Sequence, residues 1–508
     1  MVIMTEDTSY TGLLQALYEM PDLIGLALCG VQVCVLLVVQ PLLWVLVVLL
    51  RFLLSPFRSL HSDTLVVLHP WAAEAGGGER VMWQAVRAFQ QHHRRGQAGI
   101  EPEAEREGGG EGEGMIPSHS SAPIHILLDA ASPSLSPRQL CDNALVAFGI
   151  EVEPSFSTGT LHMAEHTRGG HKYFSSLLQL LYGSLIALQI AAWPPGAAIL
   201  DTAGIPGSYP LLKLGGFTPI PYVHFPILPS PHAASLLGRV AGVYDWLVAR
   251  RYRQCGRAAL CPMANSTWTA RHLKRIWKTK SPTVLYPPCP SESLTEGGTS
   301  PRPKGSVVMV GHLRPDKRHQ TAIAAFAAAY PSLADHAERA GDPAPTLTLI
   351  APLRSEAERD RLEYLTSLID ELGVTDRVVW QLNSTSEELR SVLLSSDIAL
   401  HCMEDEHFGI VCVEYLAAGC MCVCNNSGGP RDDILHTPEG AEPVGSLCTT
   451  VEEYTEAMVR LAGLEEGERE ALCVRGRERA MQFGEAAFEG GIVAALTGSE
   501  EVSKRLRD

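Results

Sequence analysis

Short β-branched runs alternate with helical stretches along most of this chain, and the alternation restarts after a segment rich in proline and glycine. That pattern leaves little room for anything but parallel sheets covered by helices. In the first series, strand-like Thr64–Leu68 leads into Gly76, Gly77 and Gly78 and then a helix over Glu79–Gln91. Further strands are expected at Ile124–Leu128, Ala198–Leu200, Ile220–Val223 and Ala259–Met263. Tyr286-Pro-Pro-Cys-Pro and Gly297-Gly-Thr-Ser-Pro-Arg-Pro then break regular structure. After the break, strands are expected at Ser306–Val310, Thr346–Ile350, Arg377–Gln381, Ile398–His401 and Cys420–Cys424. Helices over Gln320–Tyr330, Ser355–Leu372, Glu387–Ser395 and Gly409–Ala418 separate them, and two more start at Val451 and Glu465. The fold class expected is α/β, with two tandem Rossmann-like domains facing a cleft that holds the active site. A length of 508 residues suits such a pair.

The amino-terminal region is different. Leu23 to Leu50 carries no charge for 28 residues, and roughly 20 apolar residues suffice for a helix to cross a bilayer. Glu6, Asp7, Glu19 and Asp22 precede the run, and Arg51 and Arg58 follow it. This asymmetry predicts a single-pass anchor over 23–54, a short luminal segment over 1–22 and a cytosolic remainder. A cleaved leader would need a basic start, and no Lys or Arg precedes Arg51. A buried helical hairpin is the competing reading. A second charge-free run, Tyr173–Leu200, contains Gln179, Gln189 and Pro194-Pro195. It reads either as a buried helix followed by a strand or as a helix dipping into the membrane beside a lipid substrate. The domains expected are 60–288, with a disordered insert over 94–122, and 305–485, joined by a linker at 289–304 and followed by a tail at 486–508.

Composition removes several function classes. The formal net charge of −16 argues against a nucleic-acid binder. Thirteen cysteines without a Cys-x-x-Cys pair fit neither a disulfide scaffold nor a structural zinc site. Cys420, Cys422 and Cys424 alternate along one strand face, a pattern that suits metal or, better, core packing by a small apolar side chain.

The chemistry concentrates in four places. Glu406 and Glu414 stand eight apart around Phe408, Gly409 and Ile410. Eight helical residues rotate by about 800°, or about 80° beyond two turns, so both carboxylates are expected to face one cleft. Gly409 admits close backbone approach, and the free N–H groups of a helix start suit an anion. Glu414 lies in an otherwise apolar helix and needs polar partners, which the two hydroxyls of a nucleotide ribose would supply. The second place, Gly311-His-Leu-Arg-Pro-Asp-Lys317, pairs the planar fork of Arg314 with the point charge of Lys317, a set suited to pyrophosphate or to a plain solvated loop. The third is Gly76–Gly78, able to cradle a phosphate or sugar edge through backbone N–H groups. The fourth is His224 at a strand end, which is structural or catalytic.

Together these residues carry a resemblance. Glu406–Glu414, with Ala417-Ala418-Gly419 and Ser427-Gly428-Gly429-Pro430, is similar to the Glu-x7-Glu signature of retaining GT-B glycosyltransferases of family 4. His69-Pro70, Ala75-Gly-Gly-Gly-Glu-Arg80, Tyr222-Val-His-Phe-Pro226, Asn265-Ser-Thr-Trp268, Leu313–Lys317 and Glu406-His-Phe-Gly409 resemble the dolichol-pathway α-1,2-mannosyltransferases of the asparagine-linked glycosylation series. The resemblance implies a GT-B fold and a retaining, metal-independent transferase. It would add the fourth and fifth mannoses, from GDP-mannose, to the dolichol-pyrophosphate oligosaccharide on the cytosolic face of the endoplasmic reticulum. Domain 60–288 would serve the acceptor and 305–485 would bind GDP-mannose. Glu414 would hold the ribose, with Phe408, Gly409 and Ile410 beside the donor, and Glu406 would contact mannose hydroxyls. Arg314 and Lys317 would neutralise the diphosphate, Gly77 and Gly78 would face donor phosphates or sugar, and His224 would sit beside the mannose. The family usually carries Arg directly after the first glycine of its basic loop; here that residue is His312, and Arg314 stands in for it.

Further partners implied are the membrane of the endoplasmic reticulum and other mannosyltransferases of the pathway, with no nucleic acid, no cofactor and no metal. The competing readings are a family-4 transferase using another nucleotide sugar, such as N-acetylglucosaminyl transfer to phosphatidylinositol, and a non-catalytic scaffold. Three glycosylation sequons, at Asn265, Asn383 and Asn425, are expected to stay unused in a cytosolic domain.

Overall fold

A computed structural model describes residues 42, 45, 46, 49, 64–74, 76–97, 124–130, 135–162, 175–191, 197–227, 236–278, 282–295 and 302–498. The expected luminal segment 1–22 and nearly all of the expected anchor 23–54 lie outside these residues. Among the described residues, no helix is long and apolar enough to cross a membrane.

The chain divides into two units: Ala264–Ala270 and Val284–Ile492 belong to the second, and the other described residues to the first. The start of the helix Thr267–Trp277 therefore counts with the second unit, and the end of the last helix with the first. In the first, β1 (Leu65–Leu68) runs into α1 (Gly77–Gln97), followed by β2 (Ile124–Asp129), α2 (Pro137–Phe148), β3 (Phe156–Leu161) and α3 (Ser175–Ala191). Then come β4 (Ala198–Asp201), α4 (Tyr209–Leu214), β5 (Thr218–Val223), α5 (Leu236–Ala258), β6 (Met263–Ala264), α6 (Thr267–Trp277) and β7 (Thr283–Val284). The sheet order is β3-β2-β1-β4-β5-β6-β7, and the pairs from β3 to β5 are parallel. Order reverses between β1 and β4, and it is outside the carboxyl ends of strands at such a reversal that ligands bind in open α/β sheets.

The second unit repeats the scheme. After α7 (Ser291–Thr295) come β8 (Val307–Val310), α8 (His319–Ala340), β9 (Leu347–Ala351), α9 (Glu356–Glu371), β10 (Val378–Leu382) and α10 (Ser386–Ser395). They are followed by β11 (Ile398–His401), α11 (Ile410–Ala418), β12 (Met421–Asn425), β13 (Ser446–Cys448), α12 (Val451–Ala462), α13 (Glu466–Met481) and α14 (Glu485–Thr497). Strands run parallel in the order β10-β9-β8-β11-β12-β13, with the reversal between β8 and β11. β1, β4, β11 and β12 are buried on both faces, which is why they read as apolar runs without alternation.

Helix starts follow their caps. Ser355, Thr385 and Thr450 each accept a hydrogen bond from the backbone N–H three residues on, and the glutamate there reaches back. Ser355 is therefore the cap of α9 and not its first residue.

Several expectations need correction. Ala259–Met263 is not a strand: α5 runs to Ala258, and only Met263 enters β6. Of the insert expected over 94–122, Arg94 to Gln97 instead close α1, and 98–122 lie outside the described residues. Helix α2 and strands β3 and β13 were not anticipated. β3, Phe-Ser-Thr-Gly-Thr-Leu, is a sheet edge with exposed Ser157 and Thr160, so no apolar run announces it. The expected linker holds α7, and the expected tail holds most of α14, whose Phe488, Ile492 and Leu496 are buried. Within the charge-free run, Ser175–Ala191 forms a helix and Ala198–Leu200 enters a strand, and 173–174 and 192–196 lie outside the described residues. α3 packs so closely on the following turn that a Cβ on Gly183 would sit 3.0 Å from the Gly207 Cα. Cys422 and Cys424 in β12, with Cys420 beside it, are buried in the core with Cys412.

Candidate functional site

The carboxyl ends of β8 and β11 bring two loops together in the second unit. The β8 loop carries Lys317 and the β11 loop carries Glu406. Lys317 Nζ donates to Glu406 Oε2 at 2.6 Å, and both side chains are about 85% buried, at 15% and 14% exposure. His401, the last residue of β11 and 2% exposed, places Nε2 3.3 Å from the same oxygen. Burial by itself would raise the Glu406 carboxyl, but His401 and Lys317 more than offset it and hold Glu406 well below the usual carboxylate range. Arg318 and Glu404 form a second, more exposed tie between the two loops at 3.2 Å. Sequence reasoning did not find His401, which looks like the last residue of an apolar strand and lies outside every motif.

The Ser427-Gly-Gly-Pro430 segment forms the support beneath this loop. Gly429 N donates to the Glu406 carbonyl at 2.8 Å. A Cβ on Gly428 would overlap that carbonyl, and a Cβ on Gly429 would stand 2.5 Å from the Phe408 Cα. Ser427 Oγ accepts from Asp405 N at 2.7 Å. Phe408 is buried and stacks on Tyr286 at 5.6 Å, while His407 tilts against Trp268 at 5.1 Å. Tyr286 Oη and Thr267 N donate to Asp433, which burial pushes above the ordinary carboxylate value.

Gly409 caps α11 at φ 101°, a left-handed conformation that favours glycine. The helix begins at Ile410, so Glu406 lies in the loop before it. The helical-phase argument therefore does not place Glu406; the loop, Lys317 and His401 do. Glu414 is half-buried in α11, one turn inside. Arg314 is not brought to this cluster. Its guanidinium pairs with Asp316 at 2.8 Å, and its side chain is 56% exposed.

In the first unit the carboxyl ends of β1, β4 and β5 converge on the start of α1. Gly77 and Gly78 form the first turn of that helix instead of a loop before it. A Cβ on Gly78 would meet His224 Nε2 and His69 Cε1, each at 3.7 Å. His224 Nε2 donates to the Thr202 carbonyl at 2.9 Å. The Thr202 hydroxyl bonds His69 Nδ1 at 2.8 Å, and His69 Nε2 faces Glu79 Oε1 at 3.4 Å. Asp201 secures this loop by accepting from the N–H groups of Ala203, Gly204 and Ile205 and from Tyr209 Oη. Thr202 was missed by sequence reasoning, and His69 and Glu79 were noticed only as parts of a motif.

Comparison with known proteins adds independent findings. Residues 295–441 match the family described as glycosyl transferases group 1, and residues 115–277 match the ALG11 mannosyltransferase N-terminus. A Caenorhabditis elegans protein named GDP-Man:Man(3)GlcNAc(2)-PP-Dol alpha-1,2-mannosyltransferase is 30% identical over 86% of this chain and 91% of its own length. Proteins of the same name from Mus musculus and Homo sapiens are 29% and 28% identical, each over at least 93% of both chains. Among solved structures, Anabaena Alr3699/HepE in complex with UDP aligns at TM-score 0.56 and 14% identity, over 86% of this chain and all of that one. The OtsA apo structure aligns at TM-score 0.58 and 11% identity, over 85% of this chain and 98% of that one. The fold is two parallel-sheet α/β units resembling those of GT-B glycosyltransferases.

Proposed function

The chain belongs to the family of GDP-Man:Man(3)GlcNAc(2)-PP-Dol alpha-1,2-mannosyltransferases, and from that premise we propose that it transfers mannose from GDP-mannose, in α-1,2 linkage, to the dolichol-pyrophosphate-linked oligosaccharide. It adds the fourth and fifth mannoses of the glycan used for protein N-glycosylation. The observation that carries this reading beyond the relatives' names is the ionised Lys317–Glu406 pair at the strand-order reversal of the second unit.

Separating a diphosphate from an oxocarbenium-like sugar is the hard step, and preorganised positive charge lowers its barrier. Lys317 supplies that charge, the N–H groups at the start of α11 add to it, and Arg314 joins on leaving Asp316. Among the described residues, the side-chain contacts to Glu406 from Lys317 and His401 fall on Oε2, and Oε1 is the atom we assign to a mannose hydroxyl. Glu414 takes the ribose hydroxyls, and Gly409 lets donor and backbone approach. Gly77, Gly78 and His224 are the groups of the first unit read as sugar contacts. The acceptor oxygen bonds to the anomeric carbon on the face from which the phosphate oxygen leaves. Its proton passes to that phosphate, so configuration is retained, with no enzyme nucleophile and no metal.

The test is transfer by detergent-solubilised protein from labelled GDP-mannose to a short-lipid oligosaccharide pyrophosphate in the presence of EDTA. Two added α-1,2-linked mannoses, lost in Glu414→Ala, are expected. Transfer only from a different nucleotide sugar would overturn the substrate assignment.

For location, the reading is an anchor over 23–54 in the membrane of the endoplasmic reticulum, both α/β units in the cytosol, and other mannosyltransferases of the pathway as neighbours. Asn265 and Asn425 are buried and Asn383 is exposed, so Asn383 is the sequon that reports topology. It is expected to carry no glycan in cells, and a glycan there would place the second unit in the lumen.

A further inference from the structure

The molecule is acidic, yet one stretch of it is strongly basic. Residues 236–283 hold ten of the 41 Lys and Arg against a single acidic residue, Asp245. That gives +9 for these 48 residues and −25 for the remainder, from the total of −16. The charge is arranged on two helices of the first unit. On α5, Trp246, Arg250, Arg253 and Arg257 recur at helical spacing along one stripe, while Val248, Tyr252 and Cys255 on the other side are buried. On α6 and just past its end, Arg271, Lys274, Arg275 and Lys278 recur likewise, with Leu273, Ile276 and Trp277 turned into the core.

The two stripes adjoin. Arg253 Nε donates to the Ile276 carbonyl at 3.1 Å, and Tyr252 meets Trp277 edge-on at 5.4 Å. Arg250, Arg257, Arg271, Lys274, Arg275 and Lys278 are all exposed. At one end Trp246 stands 60% exposed with the Arg250 guanidinium 5.7 Å from its ring. An exposed indole beside guanidinium groups is the chemistry of a membrane interface, where the ring sits at headgroup depth and the cations meet lipid phosphates.

We propose that the α5–α6 face, Trp246 with the Arg and Lys stripe from Arg250 to Lys278, docks on an anionic phospholipid surface. A polyanionic nucleic acid fits less well, because it offers no apolar layer for Trp246. The proposal does not rest on the transfer reaction, so the two stand or fall separately.

The test uses the full chain in lipid nanodiscs made with brominated phosphatidylcholine, either alone or with about one-third phosphatidylserine. The difference in tryptophan quenching between the native chain and Trp246→Phe isolates the ring. Quenching of Trp246 is expected in the anionic discs, weakened at least about threefold in neutral discs or in about 1 M NaCl. Combined Arg250→Glu, Arg257→Glu, Lys274→Glu and Lys278→Glu should abolish it while transfer to a water-soluble acceptor analogue continues. Absence of any Trp246 quenching overturns the proposal. So does quenching equal in neutral and anionic discs, or tighter binding of a single-stranded RNA than of the anionic discs. If the fourfold variant unfolds, the native-chain salt and lipid dependence decides alone.

Discussion

Lys317 Nζ and Glu406 Oε2 sit 2.6 Å apart in a pocket that leaves each side chain about one-seventh exposed. If Lys317 takes the proposed donor diphosphate, that group competes with a carboxylate for the same ammonium. Glu406→Gln frees Lys317, so GDP affinity should rise or hold while transfer falls by about a hundredfold or more. Lys317→Met should weaken GDP by about tenfold or more and lower transfer at the same time. Calorimetric titration of GDP into both variants measures the contrast, and equal weakening in the two would contradict a phosphate role for Lys317.

Acid sensitivity should come from His319 and not from Glu406. His319 is 1% exposed, and burial, with Arg361 adding to it, lowers its pKa from 6.5 to about 4. The unfolded chain binds this proton first, so the stabilisation is complete above pH 6.5 and is lost as pH falls toward 4, by up to roughly 3 kcal/mol. Glu406 has the depressed pKa of a paired carboxylate. Its contribution is full above its ordinary value of 4.5 and fades only in stronger acid. His319→Leu should flatten the fall of Tm between pH 6.5 and 4, read by scanning calorimetry. An unchanged slope would remove His319 as the cause.

Gly428 and Gly440 both adopt left-handed backbone, at φ 60° and 82°, but their surroundings differ. Nothing lies within 4 Å of a Cβ on Gly440, whereas one on Gly428 overlaps the Glu406 carbonyl. Gly440→Ala should cost about 1 kcal/mol, the strain of the conformation alone. Gly428→Ala adds a backbone clash beneath the Glu406 loop, so Tm should fall further and transfer should collapse. Comparable effects of the two substitutions would mean that the loop yields without disturbing Glu406.

The α/β class and the two-unit scheme were legible because β1, β4, β11 and β12 are buried on both faces and the strand–helix period is regular. β3 was not, because an edge strand needs only half its residues apolar. In the site, Lys317 and Glu406 were readable because charged residues in glycine-bearing loops after strands are where such folds bind anions. Their union was hidden in the pairing of β8 with β11, which no local pattern records. Thr202 was hidden for the same reason, since it acts through His69, far away in sequence, whereas His401 was hidden because it closes a fully buried strand like any core residue. Arg314 read like Lys317 but points to Asp316, since three residues of a tight turn separate two directions.

Thr202 offers the sharpest test of the first unit. Its carbonyl can only accept, so His224 Nε2 carries the proton of that 2.9 Å bond. Its hydroxyl lies 2.8 Å from His69 Nδ1, whose other nitrogen faces the Glu79 carboxylate. With Glu79 accepting from Nε2–H, Nδ1 of His69 accepts from the Thr202 hydroxyl, which locks the residue that orients His224. Thr202→Val keeps the shape and removes the donor, leaving buried Nδ1 unsatisfied at a cost of about 1–3 kcal/mol. Thr202→Ser keeps the donor. If the chain of bonds positions His224, Thr202→Val should lower kcat by about tenfold or more with KM for GDP-mannose nearly unchanged, and Thr202→Ser should restore it. A fall in Tm with kcat intact in Thr202→Val would reduce Thr202 to a structural residue.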